Sequence, residues 1–521
     1  MQQSFLTRAH EINIKALEKM RKSDDLKLFL IVFVVALGLA PMLVLAGLKI
    51  GFSMILGILA ALVIAVLTVR RPVFGLFVSL GAAVLIEESA LSVATDFTDH
   101  LYVFYWPPSL EGLIDRPVGL LFLLILVVVV IYGLIKREKS LQGGPLIAPF
   151  GLFMLCVVLG VVHGLMTGGT FRVIVLEIRP LWYLFVTYLL AYNLISTSKQ
   201  LRAFFWIVIV GAGIKGLQGL YLVIFVLKGS LEGYNELMAH EDSFFFVSLL
   251  LLIVLFCLHY RYRAQLRVAL LVLVPVLISL VANQRRADYI ALLMGLVVAW
   301  GLIFLIQPLK RKMLIGVALT TLVLGGAYVG LFYNGSGALA SPARSIVAIF
   351  HPSSEDVRDV QSNLYRTIEN HDLKYTEQQN PILGLGFGKE FLTPWPLSDI
   401  SALDQYYLFI PHNTIYWIWM RLGPLGYLAL WFLFGAIIVR GCLIVRNLNN
   451  SYLQLVGIYI VAVTVMEIAV AFADYQLFFY RNVIYMGLLA GILMKLPLIE
   501  RKEMLSPRNQ EQKALAVTAA P

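Results

Sequence analysis

The sequence predicts an all-α polytopic membrane protein of about 14 transmembrane helices (roughly 12–14) with one large extracytoplasmic loop subdomain. Three observations predict it. Of 521 residues, 60% are hydrophobic and 14% charged, against roughly 25% charge in an ordinary soluble domain. Apolar runs of roughly 20 residues recur from Leu28 to Lys495, each long enough to cross about 30 Å of hydrocarbon. Runs such as 120–130 are apolar on every side rather than alternating at period two, which excludes a β-barrel.

Residues 1–27 read as a cytoplasmic amphipathic segment, with Ile12, Ile14, Leu17 and Met20 opposed by Lys15, Lys19, Arg21 and Lys22. No small-residue cleavage site follows, so it does not read as a cleaved signal peptide. Residues 28–332 hold transmembrane helices 1–11, expected at 28–48, 51–69, 72–86, 117–135, 147–166, 174–194, 203–226, 243–260, 266–282, 287–306 and 313–332. The third is short, ends at Glu87-Glu88, and is re-entrant, partly interfacial or a full crossing. Residues 333–421 form the large periplasmic loop, too long and polar for a simple connection. Within it, Ser353 or Ser354 caps a helix with Asp356 in its first turn. Val357, Val360, Leu364 and Ile368 make an apolar stripe, from which Arg366 points away. Helices 12–14 follow within 422–496, at 422–444, 452–471 and 481–496, and 497–521 reads as a disordered cytoplasmic tail.

Lys and Arg in the short connections set the orientation. Arg70-Arg71, Lys136-Arg137, Lys199 with Arg202, Arg261 with Arg263, Lys310-Arg311-Lys312, Arg440 with Arg446, and Lys495 with Arg501-Lys502 share one side, which is cytoplasmic. Segments 87–116, 167–173, 229–242, 283–286, 333–421 and 472–480 are then outside. The net charge of +10 is spent on this topology, and no nucleic-acid patch is implied. Cys156, Cys257 and Cys442 lie inside apolar runs and offer neither a disulfide framework nor metal-ligand spacing.

The outside carries arginines where the positive-inside rule discourages them: Arg172, Arg179, Arg285, Arg286, Arg366, Arg421 and Arg481. A guanidinium at a membrane boundary is costly unless paired or hydrated, and its planar fork suits phosphate oxygens. Singly, each reads as snorkelling or as paired with Glu177, Asp288 or Asp474; several converging would make a diphosphate site. His412 stands where the long loop re-enters the membrane, and an imidazole there suits general-base work on a sugar hydroxyl. The glycines of 380–389 read as tight turns, since the segment is not a Walker A sequence. No Asp-x-Asp pair and no Cys/His cluster at zinc spacing occurs, so neither metal nor cofactor is expected. His240-Glu241-Asp242 is the only compact ligand-like group and reads as a polar loop. Lys215 and Glu467 fall inside spans without an obvious partner at one depth.

Together these residues resemble the O-antigen ligase and polymerase superfamily of bacterial inner-membrane proteins. Four pieces over roughly residues 270–440 carry the likeness: Arg285-Arg286-Ala287 opening a span, Asn363 to Arg366 in the long loop, Asn380 to Gly386, and Pro411-His412-Asn413 followed by Arg421 to Gly426. The resemblance implies a multi-pass protein of the bacterial inner membrane with its active site facing the periplasm. It implies a metal-independent, inverting glycosyltransferase that moves a glycan from undecaprenyl diphosphate to a sugar hydroxyl. The acceptor would be lipid A-core for a ligase or a lipid-linked oligosaccharide for a polymerase, the latter working with a partner that controls chain length. By the same resemblance His412 is the general base, Arg286 with Arg366 binds and neutralises the departing diphosphate, Arg285 is the alternative to Arg286, and Arg179 completes the anionic pocket.

A transporter or flippase for lipid-linked oligosaccharides is the competing class. It would explain the outer arginines but not the folded loop with His412, and it would depend on Lys215. A structural scaffold is a third reading, under which the outer arginines are individually dispensable.

Overall fold

The computed structural model describes residues 52–86, 117–136, 141–229, 237–259, 262–335, 340–350, 357–401 and 405–505. The expected amphipathic segment 1–27, the span 28–48, the outer segment 87–116 and the caps Ser353, Ser354 and Asp356 lie outside these residues. The chain divides into two units, residues 1–63 with 101–105 and residues 64–100 with 106–521. Of the first, the described part is the start of α1; everything below concerns the second.

No strand occurs among the described residues. The helices are α1 (Phe52–Arg70), α2 (Pro72–Leu85), α3 (Pro117–Lys136), α4 (Ile147–Met166), α5 (Phe171–Leu194), α6 (Ser198–Tyr221), α7 (His240–Leu258), α8 (Arg263–Leu271), α9 (Leu273–Ala282), α10 (Arg286–Ile306), α11 (Arg311–Phe332), α12 (Ser341–Phe350), α13 (Val357–Gln379), α14 (Thr414–Asn447), α15 (Ser451–Ala471) and α16 (Tyr480–Met504). Nine described helices are long and apolar enough to cross a membrane, or up to ten with α8 and α9 counted as one bent span. The protein is thus helical and multi-pass, as its composition predicts.

Three elements differ from their expected form. The span expected at 266–282 is broken between α8 and α9 by 47°. Pro275, in the first turn of α9, has no N–H to continue the α8 ladder. The bend brings Val272 and Val276 onto Gly213 and Gly216 of α6, and Ser279 donates to the Gly216 carbonyl at 2.8 Å. The helix expected from 422 begins instead at Thr414, because the Asn413 side chain accepts from the Tyr416 N–H at 3.0 Å and starts it early. It turns at Gly423, whose φ is 64°, just before Pro424. Finally, α16 runs to Met504, past the expected tail boundary at 497. Ile499 is buried, and Glu500 accepts from the backbone of Asn449 and Asn450 at 2.7 and 2.6 Å.

At its 14 residues, α2 is about 21 Å long, short of the hydrocarbon thickness. Its C-terminal carbonyls end against a buried cation: Arg481 donates to Ala83 and Val84 at 2.7 and 2.9 Å, and the Tyr480 hydroxyl to Ile86 at 3.0 Å. The buried core lies along α5, α7, α15 and α16. On α16, Gly491 lets the backbone approach α5 so closely that a Cβ there would stand 2.5 Å from the Tyr188 carbonyl. At the other extreme α11 is apolar yet buries only Leu314, with Leu322 and Val323 74% and 69% exposed, a surface suited to hydrocarbon.

Candidate functional site

The site grows from four segments: the start of α7, the turn between α9 and α10, α13 with the loop leading to α14, and residues 472–479. Asn283 joins the first two. Its Oδ1 accepts from the N–H groups of Leu237 and Met238 at 3.1 and 2.9 Å, and its Nδ2 donates to Ser243 at 2.7 Å. The next residue, Gln284, has φ of 53°, a left-handed conformation that a side chain rarely adopts. This tight turn presents Arg285 and Arg286 at the mouth of α10.

Helix α13 contributes its polar face. Asn363, Arg366 and Glu369 recur every three residues and so share a side of the helix. Asn363 Oδ1 accepts from Arg286 Nη2 at 3.1 Å. Glu369 is 1% exposed and grips His412 twice: Oε1 lies 3.0 Å from Nδ1, and Oε2 accepts the His412 backbone N–H at 3.0 Å. A carboxylate only accepts, so Nδ1 carries the proton of the neutral ring, and Nε2 is left with the lone pair. Of the expected apolar stripe, Val360 and Leu364 face outward, 48% and 59% exposed, and Ile368 is half-buried. It is the polar side of α13 that is buried.

Arg366 is surrounded by charge. Burial pushes its guanidinium down from the usual arginine range; Asp474 and Glu369 oppose that, and Arg285 and Arg286 add to it. Its Nε is buried with no hydrogen-bond partner among the described residues. Three guanidinium groups beside one another, with the Arg366 Nε donor unanswered, form a cradle that a polyanion would complete.

Asp474 closes the site from the fourth segment. Burial alone would raise its carboxyl, but His240, Arg285 and Arg366 hold it well below the usual carboxylate range. His240 Nδ1 lies 2.7 Å from Asp474 Oδ2, and Thr414 Oγ1, two residues past His412, donates to the Asp474 carbonyl at 3.0 Å. The Tyr475 ring then packs edge-on to His412, at 5.5 Å between centroids, and 5.9 Å from His240.

Of the residues singled out in sequence, His412, Arg285, Arg286 and Arg366 are thus brought together, with both arginines of the 285–286 pair beside Arg366. Arg179 lies on α5, 8% exposed, two residues beyond Glu177. Two outer arginines are spent on structure. Arg421 is fully buried, 2.6 Å from Glu177, and donates to the Gly386 and Phe409 carbonyls at 3.0 and 2.8 Å. Arg481, also fully buried, meets Asp242 at 2.5 Å, and Lys215 lies 3.3 Å from the same carboxylate. Lys215 therefore has a partner at its own depth, and His240-Glu241-Asp242 is not a polar loop but the paired first turn of α7. The glycine-rich segment does shape the loop. Gly384, Gly386 and Gly388 all have positive φ, and a Cβ on Gly386 would stand 2.7 Å from the Gly164 backbone N. Glu369, Asp474 and His240 were missed as site residues, because nothing in local spacing connects them with His412.

Residues 271–432 match the model of a family described as O-antigen ligase. No curated protein matches the chain. The matched segment contains Arg285, Arg286, Arg366, Glu369, His412 and Arg421, while Arg179, His240 and Asp474 lie outside it. The match to this family therefore falls where four of the five candidate residues sit.

Proposed function

We propose, from the O-antigen ligase match over residues 271–432, that this chain is a membrane glycosyltransferase that moves a glycan from undecaprenyl diphosphate to the hydroxyl of an acceptor sugar. The carrying observation is His412, fixed by Glu369 with Nε2 as its basic atom, beside three arginines that include an unanswered donor. His412 Nε2 takes the proton of the acceptor hydroxyl as its oxygen attacks the anomeric carbon from the side opposite the diphosphate, which inverts that carbon. The bond from the anomeric carbon to the diphosphate oxygen breaks with its electron pair on the oxygen. Arg285, Arg286 and Arg366 meet the charge that develops there, and Arg179 completes the pocket. The site faces the periplasm from the bacterial inner membrane. The acceptor is lipid A-core for a ligase or a second lipid-linked oligosaccharide for a polymerase, which would add a chain-length-controlling partner.

Purified protein and its His412→Ala form, given the lipid-linked donor with each acceptor in parallel, test this. Transfer by the wild type and a loss of about 100-fold or more in the variant is expected; equal transfer by both would remove His412 from the mechanism. The acceptor consumed separates ligase from polymerase. A flippase would instead tolerate His412→Ala. The Lys215 variant is a poorer discriminator, because Lys215 is ion-paired with Asp242 and its loss would disturb the fold. With arginines carrying the leaving-group charge, activity should survive EDTA; activity lost in EDTA and restored by magnesium would contradict that part of the proposal.

A further inference from the structure

The site contains a second imidazole that the reading above does not use. Two histidine–carboxylate pairs stand against one tyrosine: His412 on Glu369 and His240 on Asp474, with the Tyr475 ring 5.5 Å from the first imidazole and 5.9 Å from the second. The pairs are built alike. In each, the carboxylate is buried, 1% exposed for Glu369 and 4% for Asp474, and engages the ring through Nδ1. In each, the imidazole side chain is the more exposed partner, at 23% and 16%. Each pair therefore offers its ring, not its carboxylate, to the site.

They differ in their neighbours. Glu369 belongs to the same helix face as Arg366, but His412 itself is held at the loop by its backbone. Both carboxylates reach the cationic cluster: Glu369 interacts with Arg366, and Asp474 with Arg366 and Arg285. Asp288 of α10 also faces Asp474, Arg285 and His240, while Glu241 and Asp242 on α7 turn to Arg481. A protonated His240 at the first residue of α7 would be disfavoured by that helix dipole and by the arginines, and Asp474 together with a bound diphosphate would offset both.

We propose that His240, seated on Asp474, is the proton donor to the departing diphosphate, the counterpart of His412 on the acceptor side; this rests on the glycan-transfer reading above. The balance is simple. The acceptor hydroxyl gives its proton to His412 Nε2 and bonds to the anomeric carbon. The bond from that carbon to the diphosphate oxygen breaks with its electrons on the oxygen, and the imidazolium of His240 gives that group a proton from Nε2. One proton has moved from acceptor to lipid diphosphate, and exchange with water resets both rings.

The test is the pH profile of transfer by the full-length protein in detergent or nanodiscs, using a polyprenyl diphosphate-linked glycan as the probe, for the wild type, His240→Gln and His412→Ala. The wild type should show a bell, with an alkaline limb from loss of the His240 proton. His240→Gln should lower kcat by about 10–100-fold with KM within about threefold, and should lose that alkaline limb. A rise in KM with kcat and limb intact would make His240 a binding group and overturn the proposal, as would an unchanged profile. Should His240→Gln fail to fold, a flat alkaline side in the wild type alone overturns it. Wild-type transfer that needs His412 but ignores His240 defeats this inference and leaves the glycan-transfer reading standing; no wild-type transfer at any pH defeats both.

Discussion

Glu369 makes the clearest claim at the scale of a single residue. Its two oxygens hold one histidine through both ring and backbone, so its charge sets the tautomer and its shape sets the position of His412. Glu369→Gln keeps the shape but can donate to Nδ1 and leave the proton on the wrong nitrogen. Transfer should fall by about 100-fold or more in kcat with little change in KM, in protein whose melting temperature is near that of the wild type. Comparable kcat would mean that the carboxylate only anchors the loop. His412 and the arginines were legible in sequence because their residue types are unusual where they stand. Glu369 was not, since a glutamate on a polar helix looks like any solvated residue until the partner 43 positions away is placed beside it.

Among the elements, the loop between α13 and α14 is fastened by Arg421, one of the outer arginines whose residue type also suits a diphosphate. Arg421 on α14 reaches Glu177 on α5 and the Gly386 carbonyl, while Glu177 also accepts from the Gly388 N–H at 2.6 Å and from Trp417 at 3.3 Å. Removing one member leaves a buried charge unanswered, which costs about 3–5 kcal/mol. Arg421→Ala should therefore lose folded protein and melt earlier in detergent, and any purified fraction should keep wild-type KM for the donor. Selective loss of donor affinity at full stability would return Arg421 to the binding site. The same logic explains why the spans were readable and their ends were not. Hydropathy finds an apolar run, but whether α14 begins at Thr414 or eight residues later depends on one Asn413 cap.

For the molecule as a whole, polar groups in an apolar bundle make stability depend on pH. At the end of α7, burial and the adjacent Lys310 ammonium push His259 down to about 4. Unfolded, it titrates near 6.5, so between those values the unfolded chain binds the extra proton. Stability is full above about 6.5 and is lost as pH falls toward 4. Melting temperatures of wild type and His259→Leu should therefore diverge over that interval, with the variant losing less between pH 7 and about 4.5. Parallel curves would show that His259 is hydrated in the folded protein.

The sequence by itself determined the helical, multi-pass class and the kinds of residue that could serve a diphosphate and a sugar hydroxyl. Hydrocarbon demands long apolar helices, and a charge at its boundary demands a reason, and both demands act on local stretches of chain. Only the tertiary structure decided how those charges are spent. It committed Arg421 and Arg481 to buried pairs, gathered Arg285 and Arg286 beside Arg366, and set His240 against a carboxylate 234 residues away. The physical reason is that a buried ion pair is specified by a distance between side chains, and segments far apart in sequence meet at that distance without any periodic trace in either one.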